Sequence, residues 1–195
     1  MVTPAYSALD LPTVQHIASL MPRVKVILLL RDPVDRAYSA ARMHLTKSEV
    51  RKDAGVEKGC EFSVEDYIAF CDQPWVRRRG DYLAMLANWR HCFPHEQLFI
   101  GFLEDIRLRP SEFLAEVCRF LDISHWTESL CVRQRPVNAG DNPAIPRELA
   151  QYLARSYLQD ERTLLGAVSE NERHRGYVEG WIRHAESVLT DGETA

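Results

Sequence analysis

Two short runs in this chain are dominated by apolar residues, KVILLL at 25–30 and QLFIGFLED at 97–105. Runs of that length, rich in branched and aromatic side chains, are the pattern of strands buried on both faces. Elsewhere the apolar positions recur at three and four residues, which is helical spacing. LPTVQHIASLMP predicts a helix opened near Pro12 and Thr13 and closed by Pro22. After the first strand, Asp32 stands at a cap position, Pro33 at the first helical position, and Asp35 three residues beyond the cap; this helix is expected to run to about Lys47. Residues 48–62 carry charges and glycines without periodicity and read as a loop. Ser63 with Asp66 forms a second capping pattern, opening VEDYIAFC, and Pro74 ends it. A helix from about Gly80 carries Tyr82, Leu83, Leu86 and Trp89 as its stripe. The second strand ends in acidic residues and a turn at Arg109 and Pro110. Ser111 then caps a helix with Phe113, Leu114, Val117, Phe120 and Leu121 on one face. The Pro-, Asn- and Gly-rich stretch RQRPVNAGDNPAIP leads to a helix at 146–160, and a polar helical tail ends in disorder from about Thr190.

Strands alternating with helices point to an α/β fold in which a short parallel sheet is flanked by helices and the C-terminal half is helix-rich. Two strands are too few for a parallel sheet covered on both faces, so the pattern reads as part of a larger fold or one whose sheet is completed elsewhere.

At 195 residues with 46% hydrophobic content the chain can build an ordinary core. No window approaches about 18 consecutive apolar residues, so no membrane span is expected. The first twenty residues lack the pattern of a signal peptide, which favours a cytoplasmic location. A net charge of -4 argues against general nucleic-acid binding. Among the 24 basic residues only Lys25, Lys47, Lys52 and Lys58 are lysines. Arginine suits planar, bidentate contacts to phosphate or sulfate, although biased codon usage explains the same count. Cys60, Cys71, Cys92, Cys118 and Cys131 show no metal-ligand spacing and do not pair with the seven histidines as a zinc site would. They read as reduced thiols, with Cys118 in the core, and no metal is expected.

Ligands of open α/β sheets sit beyond the carboxyl ends of the strands, where helix N-termini carry free N–H groups and positive dipole ends. Arg31 stands there. Ser39 follows Asp32 by seven residues, a rotation of about 700° and a rise of ~10 Å in an ideal helix, which keeps it on nearly the same face. Arg31 and Ser39 can therefore close on one anion. The same residues also allow Arg31 to pair with Asp32 or Asp35, and Ser39 to bond the carbonyl four residues back.

The run KVILLLRDPVDRAYSA resembles the 3′-phosphate-binding motif of sulfotransferases that use 3′-phosphoadenosine 5′-phosphosulfate (PAPS), a strand followed by R-[DN]-P-x-x-R-A-x-S. Similar segments follow in order: TPAY at 3–6 precedes the motif, and RGDYLAMLANWRHCFP, QLFIGFLEDIRLRPSEFLAEVCRFLDI and IPRELAQYLARSYLQDERTLL come after it. The likeness is greatest to the heparan-sulfate-type and related bacterial branch and covers roughly residues 3–168. It implies a partial P-loop-like three-layer α/β fold. It also implies a sulfotransferase-like domain at 1–168, incomplete at its N-terminus, with a helical polar tail at 169–195. The cofactor implied is PAPS, its 3′-phosphate held by Arg31 and Ser39, and the acceptor a carbohydrate or other compound with a hydroxyl or amine.

The family's 5′-phosphosulfate loop, with its lysine, has no counterpart here: the four lysines stand in VKV, TKS, RKD and EKG. Its general base usually lies between that loop and the segment where this chain begins. No catalytic residue is therefore assigned. His44 and Glu49, just past the motif helix, could approach an acceptor but read rather as exposed helix-end residues, Arg133 and Arg135 stand where the family covers the nucleotide, and Arg77, Arg78 and Arg79 form a basic run that fits an anionic acceptor or a solvated surface. Two readings stand: the C-terminal part of a sulfotransferase, or a non-catalytic module that binds adenosine 3′,5′-bisphosphate or persists as a structural remnant. A nucleotide kinase fits less well because the Walker pattern is absent.

Overall fold

Proline and aspartate set most of the helix ends. A computed structural model describes residues 6, 8–45, 62–123 and 144–190. Its elements in chain order are α1 (Leu11–Leu20), β1 (Val26–Leu30), α2 (Pro33–Leu45), α3 (Val64–Cys71), α4 (Pro74–Gly80), α5 (Tyr82–Cys92), β2 (Leu98–Phe102), α6 (Leu103–Leu108), α7 (Pro110–Phe120), α8 (Arg147–Ala167) and α9 (Glu172–Thr190). Asp10 caps α1 by accepting from the Thr13 N–H at 3.2 Å. Ser63 and Asp66 form the expected reciprocal box: the Ser63 N–H donates to Asp66 Oδ2 at 2.9 Å and the Asp66 N–H to Ser63 Oγ at 3.2 Å.

Several expectations are corrected. Pro74 ends α3 but also opens α4, because a proline at the first helical position loses no intrahelical bond. The acidic end of the second strand is α6, not an extension of β2. Helix α7 starts at Pro110 with Arg109 at the cap position, so Ser111 lies inside it and caps nothing. Helix α8 also runs past residue 160, to Ala167. The expected loops at 48–61 and 131–143 and the tail beyond Thr190 lie outside the described residues.

The chain divides into two compact units. One holds the described residues of Leu9–Arg31 and Leu86–Ala144. Here β1 and β2 pair in parallel, in register from Val26 opposite Leu98 to Leu30 opposite Phe102, as a two-stranded sheet among the described residues. Burial is one-sided, contrary to the expectation of strands covered on both faces: Leu28 and Leu30 are buried, while Ile27 and Leu29 are 36% and 52% exposed. The Gln97 side chain ties the approach to β1, donating to the carbonyls of Pro22 and Val24 at 3.0 Å each. Lys25 Nζ donates to the Phe120 carbonyl at 2.5 Å and pairs with Asp122, joining β1's start to the end of α7. Phe99 packs against Phe113 and Phe120 with ring centroids 5.8 and 5.4 Å away. Gly101 permits this approach, since a Cβ there would lie 2.7 Å from the Phe113 ring.

Asp105 holds the β2–α6 corner. It is fully buried, accepting from the Phe102 N–H and from Arg109 Nε, both at 3.1 Å, and Arg109 also pairs with Glu116.

The other unit holds the described residues of Asp32–Met85 and Ile145–Ala195. Val34, Ala37, Tyr38 and Ala41 of α2 meet Phe70 and Cys71 of α3, Val76 of α4, and Leu149, Leu153 and Tyr157 of α8 in one core. Spacings of three and four residues on α2 and α8 explain why each offers a single apolar stripe. Helix α9 buries Val178, Trp181 and Ala185, and Arg162 of α8 pairs with Glu186 of α9 at 2.7 Å.

Removing Asp105 strips a buried strand-end N–H of its acceptor and Arg109 of one partner. Asp105→Ala is expected to lower stability by about 3 kcal/mol in urea unfolding, whereas Asp122→Ala, on an exposed pair, changes it by less than about 1 kcal/mol.

Candidate functional site

The strand-to-helix junction that the motif marks is held by Asp32. Its Oδ1 accepts from the N–H groups of Val34 at 2.8 Å and Asp35 at 3.1 Å, and its carbonyl accepts from the Arg36 N–H at 2.9 Å. Burial pushes the Asp32 carboxyl above its ordinary range, while the hydrogen bonds from Asp35 and Val34 pull the other way. The first amides of α2 are thus satisfied by the chain itself. The expected Asp32 cap is therefore present, and these amides are not left open to an anion.

Ser39 sits two turns into α2. It is half-buried and its hydroxyl makes no hydrogen bond among the described residues, so the bond back to the carbonyl of Asp35 does not form. Arg31 directly follows β1, half-buried, as the last residue of the sheet-bearing unit, and Ser39 belongs to the helical one. The second motif arginine, Arg36, is committed to structure: its Nη2 donates to the Val76 carbonyl at 3.2 Å and to Tyr157 Oη at 3.5 Å. Gly80 makes room for it, since a Cβ there would lie 2.7 Å from Arg36 Nη2 and 3.1 Å from the Tyr157 ring.

The basic run at 77–79 divides. Arg77 is half-buried and acts as a hub: Nη2 donates to Asp72 Oδ1 at 2.5 Å, Ser156 Oγ at 3.2 Å and Tyr152 Oη at 3.4 Å. The Tyr152 hydroxyl donates to Asp72 Oδ2 at 2.6 Å. Burial raises the Asp72 carboxyl, but the bonds from Tyr152 and Arg77 outweigh it and hold the group below its ordinary value. Arg79 lies over the Trp75 ring at 4.8 Å, and Arg78 is exposed. His44 is not a free helix-end group, for its ring stacks on Phe70 with centroids 4.7 Å apart. Glu49, Arg133 and Arg135 lie outside the described residues.

Glu161 was not singled out by the sequence. It occupies a stripe position on α8, in phase with Leu149, Leu153, Tyr157 and Leu164, and is 1% exposed with neither carboxylate oxygen hydrogen-bonded. With Pro33, Gly80, Tyr82, Tyr157 and Asp160 it lines a small cleft within the helical unit. Burial, then the charges of Asp32 and Asp160, push its carboxyl up from 4.5 to about 8. An acid in phase with an apolar stripe was the legible signal. No helix is long and apolar enough to cross a membrane, and no cluster of His, Cys, Asp and Glu could hold a metal, among the described residues.

This architecture, a helix-rich α/β chain with a short parallel sheet, is that of a known family. The model of the sulfotransferase domain matches residues 11–134, and the chain belongs to that family. It is 31% identical over 122 residues to the bifunctional heparan sulfate N-deacetylase/N-sulfotransferase 3 of Mus musculus, covering 57% of this chain and 13% of the relative. It is 24% identical over 123 residues to bifunctional heparan sulfate N-deacetylase/N-sulfotransferase 1 of Caenorhabditis elegans, covering 61% and 14%. The chain thus spans less than a sixth of these relatives' length. A solved sulfotransferase from Alicyclobacillus acidocaldarius shares the fold, with a TM-score of 0.57 and 23% identity over 85% of this chain and 62% of that one.

Because Arg77 joins the α3–α4 corner to α8, Arg77→Ala is expected to cost about 2 kcal/mol in urea unfolding, the sum of roughly two net hydrogen bonds. The Asp72 share has a definite sign. Its pKa is lowered in the folded chain, so its contribution is present above the unfolded value and fades as pH falls through the carboxylate range. The difference between wild type and Arg77→Ala should shrink accordingly in acid.

Proposed function

We propose that this chain carries the 3′-phosphate-binding part of a PAPS-dependent sulfotransferase, with Arg31 and Ser39 as the ligands. The observation that carries the reading is the hydroxyl of half-buried Ser39 on α2, unbonded among the described residues, in a chain of the sulfotransferase domain family whose motif places an arginine at the end of the preceding strand. A guanidinium and a hydroxyl are a suitable donor set for a phosphate, the first supplying charge and paired N–H groups, the second one short bond. Asp32 and Arg36 take structural roles beside them, one capping α2 and the other tying it to α4 and α8.

PAPS, when bound, supplies the sulfuryl group that passes in line to an acceptor hydroxyl or amine, with adenosine 3′,5′-bisphosphate leaving and the acceptor proton going to a base. Such a reaction also requires a base and a cation at the leaving oxygen, and neither role is assigned here. The apolar face of β1, open at Ile27 and Leu29, supports a further element of the reading: another layer covers that face in the active assembly. The carbohydrate-sulfating relatives make a carbohydrate acceptor the first to test. A chain that binds the bisphosphate without transferring sulfate is the alternative, and activity of an N-terminally extended chain with PAPS separates the two.

Titration calorimetry with adenosine 3′,5′-bisphosphate tests the site. Binding should weaken about tenfold or more in Arg31→Ala and in Ser39→Ala, and adenosine 5′-monophosphate, lacking the 3′-phosphate, should bind all three chains equally weakly. Unchanged affinity in both variants would remove the assignment.

A further inference from the structure

Glu161 plays no part in that phosphate site, yet it is the most anomalous side chain of the helical unit. A carboxylate sealed from water with no hydrogen bond and no ion pair is costly, and proteins relieve the cost by protonating it or letting water in. Here both oxygens are buried and unbonded, and the surroundings add negative charge. From α2 the groups facing this region are Asp32, Asp35 and Arg36; from α4 and α5 they are Arg77, Asp81 and Tyr82; from α8, Tyr157 and Asp160; and from α9, His184, which acts on Asp32. Two arginines near the cleft among the described residues are engaged. Arg36 is bonded to Val76 and Tyr157, and Arg77 to Asp72, Tyr152 and Ser156. Pro33, Gly80, Tyr82 and Leu83 line the same cleft.

We propose that Glu161 is a proton-binding site that sets the seating of α8 on the first turn of α2 and on the α4–α5 junction. With the proton bound, Glu161 is a neutral filler of the apolar stripe formed by Leu149, Leu153, Tyr157 and Leu164. On its loss, a bare charge lies beside Asp32 and Asp160, and the cleft at Gly80 and Tyr82 opens to hydrate it. The device acts on the start of α2 whether or not a nucleotide binds there.

The sign is fixed by linkage. A carboxyl raised in the folded chain from 4.5 to about 8 costs nothing at low pH, where it is protonated in both states. As pH climbs from the unfolded value toward the folded one, the unfolded chain sheds the proton first and stability falls. Glu161→Gln keeps shape and polarity but cannot ionise. Thermal or urea unfolding of both chains from pH 4 to 9 should show equal stability at the acid end. The folded-to-unfolded ratio of wild type relative to Glu161→Gln should then drop by up to about tenfold per pH unit and level off above the folded value. Asp32 and Asp160 titrate in both chains and cancel in the difference. Amide exchange at Val34 and Asp35 should be alike in the two chains at low pH and faster in wild type at pH 9. If Glu161→Gln does not fold, Glu161→Met supplies the same comparison, and the protonated-carboxyl infrared band of wild type, lost on titration at neutral to mildly alkaline pH, supplies a readout without any variant. Parallel stability curves for wild type and either variant, or an infrared band already lost below pH 6, overturn the proposal.

Discussion

The first turn of α2 depends on one carboxylate. Asp32 accepts from two amides of its own helix, and everything placed on α2 inherits its position from that cap: the core residues Val34, Ala37, Tyr38 and Ala41, the Arg36 tether to α4 and α8, and the Ser39 hydroxyl. The cap also decides what kind of site the junction can be. With the leading amides engaged, the helix end is not itself a phosphate cradle, and the proposed site rests on a guanidinium and a hydroxyl. That division suits a site that must hold one phosphate of a larger nucleotide, since side chains carry more geometric selectivity than a helix dipole.

Charge in the helical unit is distributed unevenly around this turn. Arginines 36 and 77 are spent on holding helices together, each through two or more hydrogen bonds, while half-buried Asp32 and buried Glu161 interact with raised proton affinities. The arrangement keeps the core of α2, α3, α4 and α8 coherent through polar ties at its edge, and concentrates its electrostatic cost in a single unbonded carboxyl. The sheet-bearing unit solves the opposite problem. There the buried carboxylate, Asp105, has a donor to each oxygen and pins the β2–α6 corner.

Much of the fold could be read before any coordinates, because its helix starts are written in local chemistry. Pro33, Ser63 with Asp66, and the unbroken VILLL and LFIGF runs placed α2, α3 and both strands, and the motif around Arg31 and Ser39 marked the family. The misses share a cause. Helices α4 and α6 are too short to show a period, and Pro74 and Pro110 act as openers where a proline reads first as a terminator or turn. Which face of β1 is covered depends on residues outside the run itself, so continuous hydrophobicity did not reveal that Ile27 and Leu29 stay exposed. Arg77 read as a solvated surface charge or an acceptor contact because its partners Tyr152 and Ser156 lie many residues away on α8. Glu161 was visible as an acid in phase with leucines, but its burial depends on packing that no local pattern encodes.

The central claim is that the segment from Arg31 to Ser39 recognises a nucleotide 3′-phosphate. Amide chemical-shift mapping on the isotopically labelled chain tests it without relying on altered residues. Addition of adenosine 3′,5′-bisphosphate should shift the amides of residues 31–39, with saturation, and adenosine 5′-monophosphate at the same concentration should leave them in place. Shifts confined to other segments, or equal responses to both nucleotides, would contradict the account.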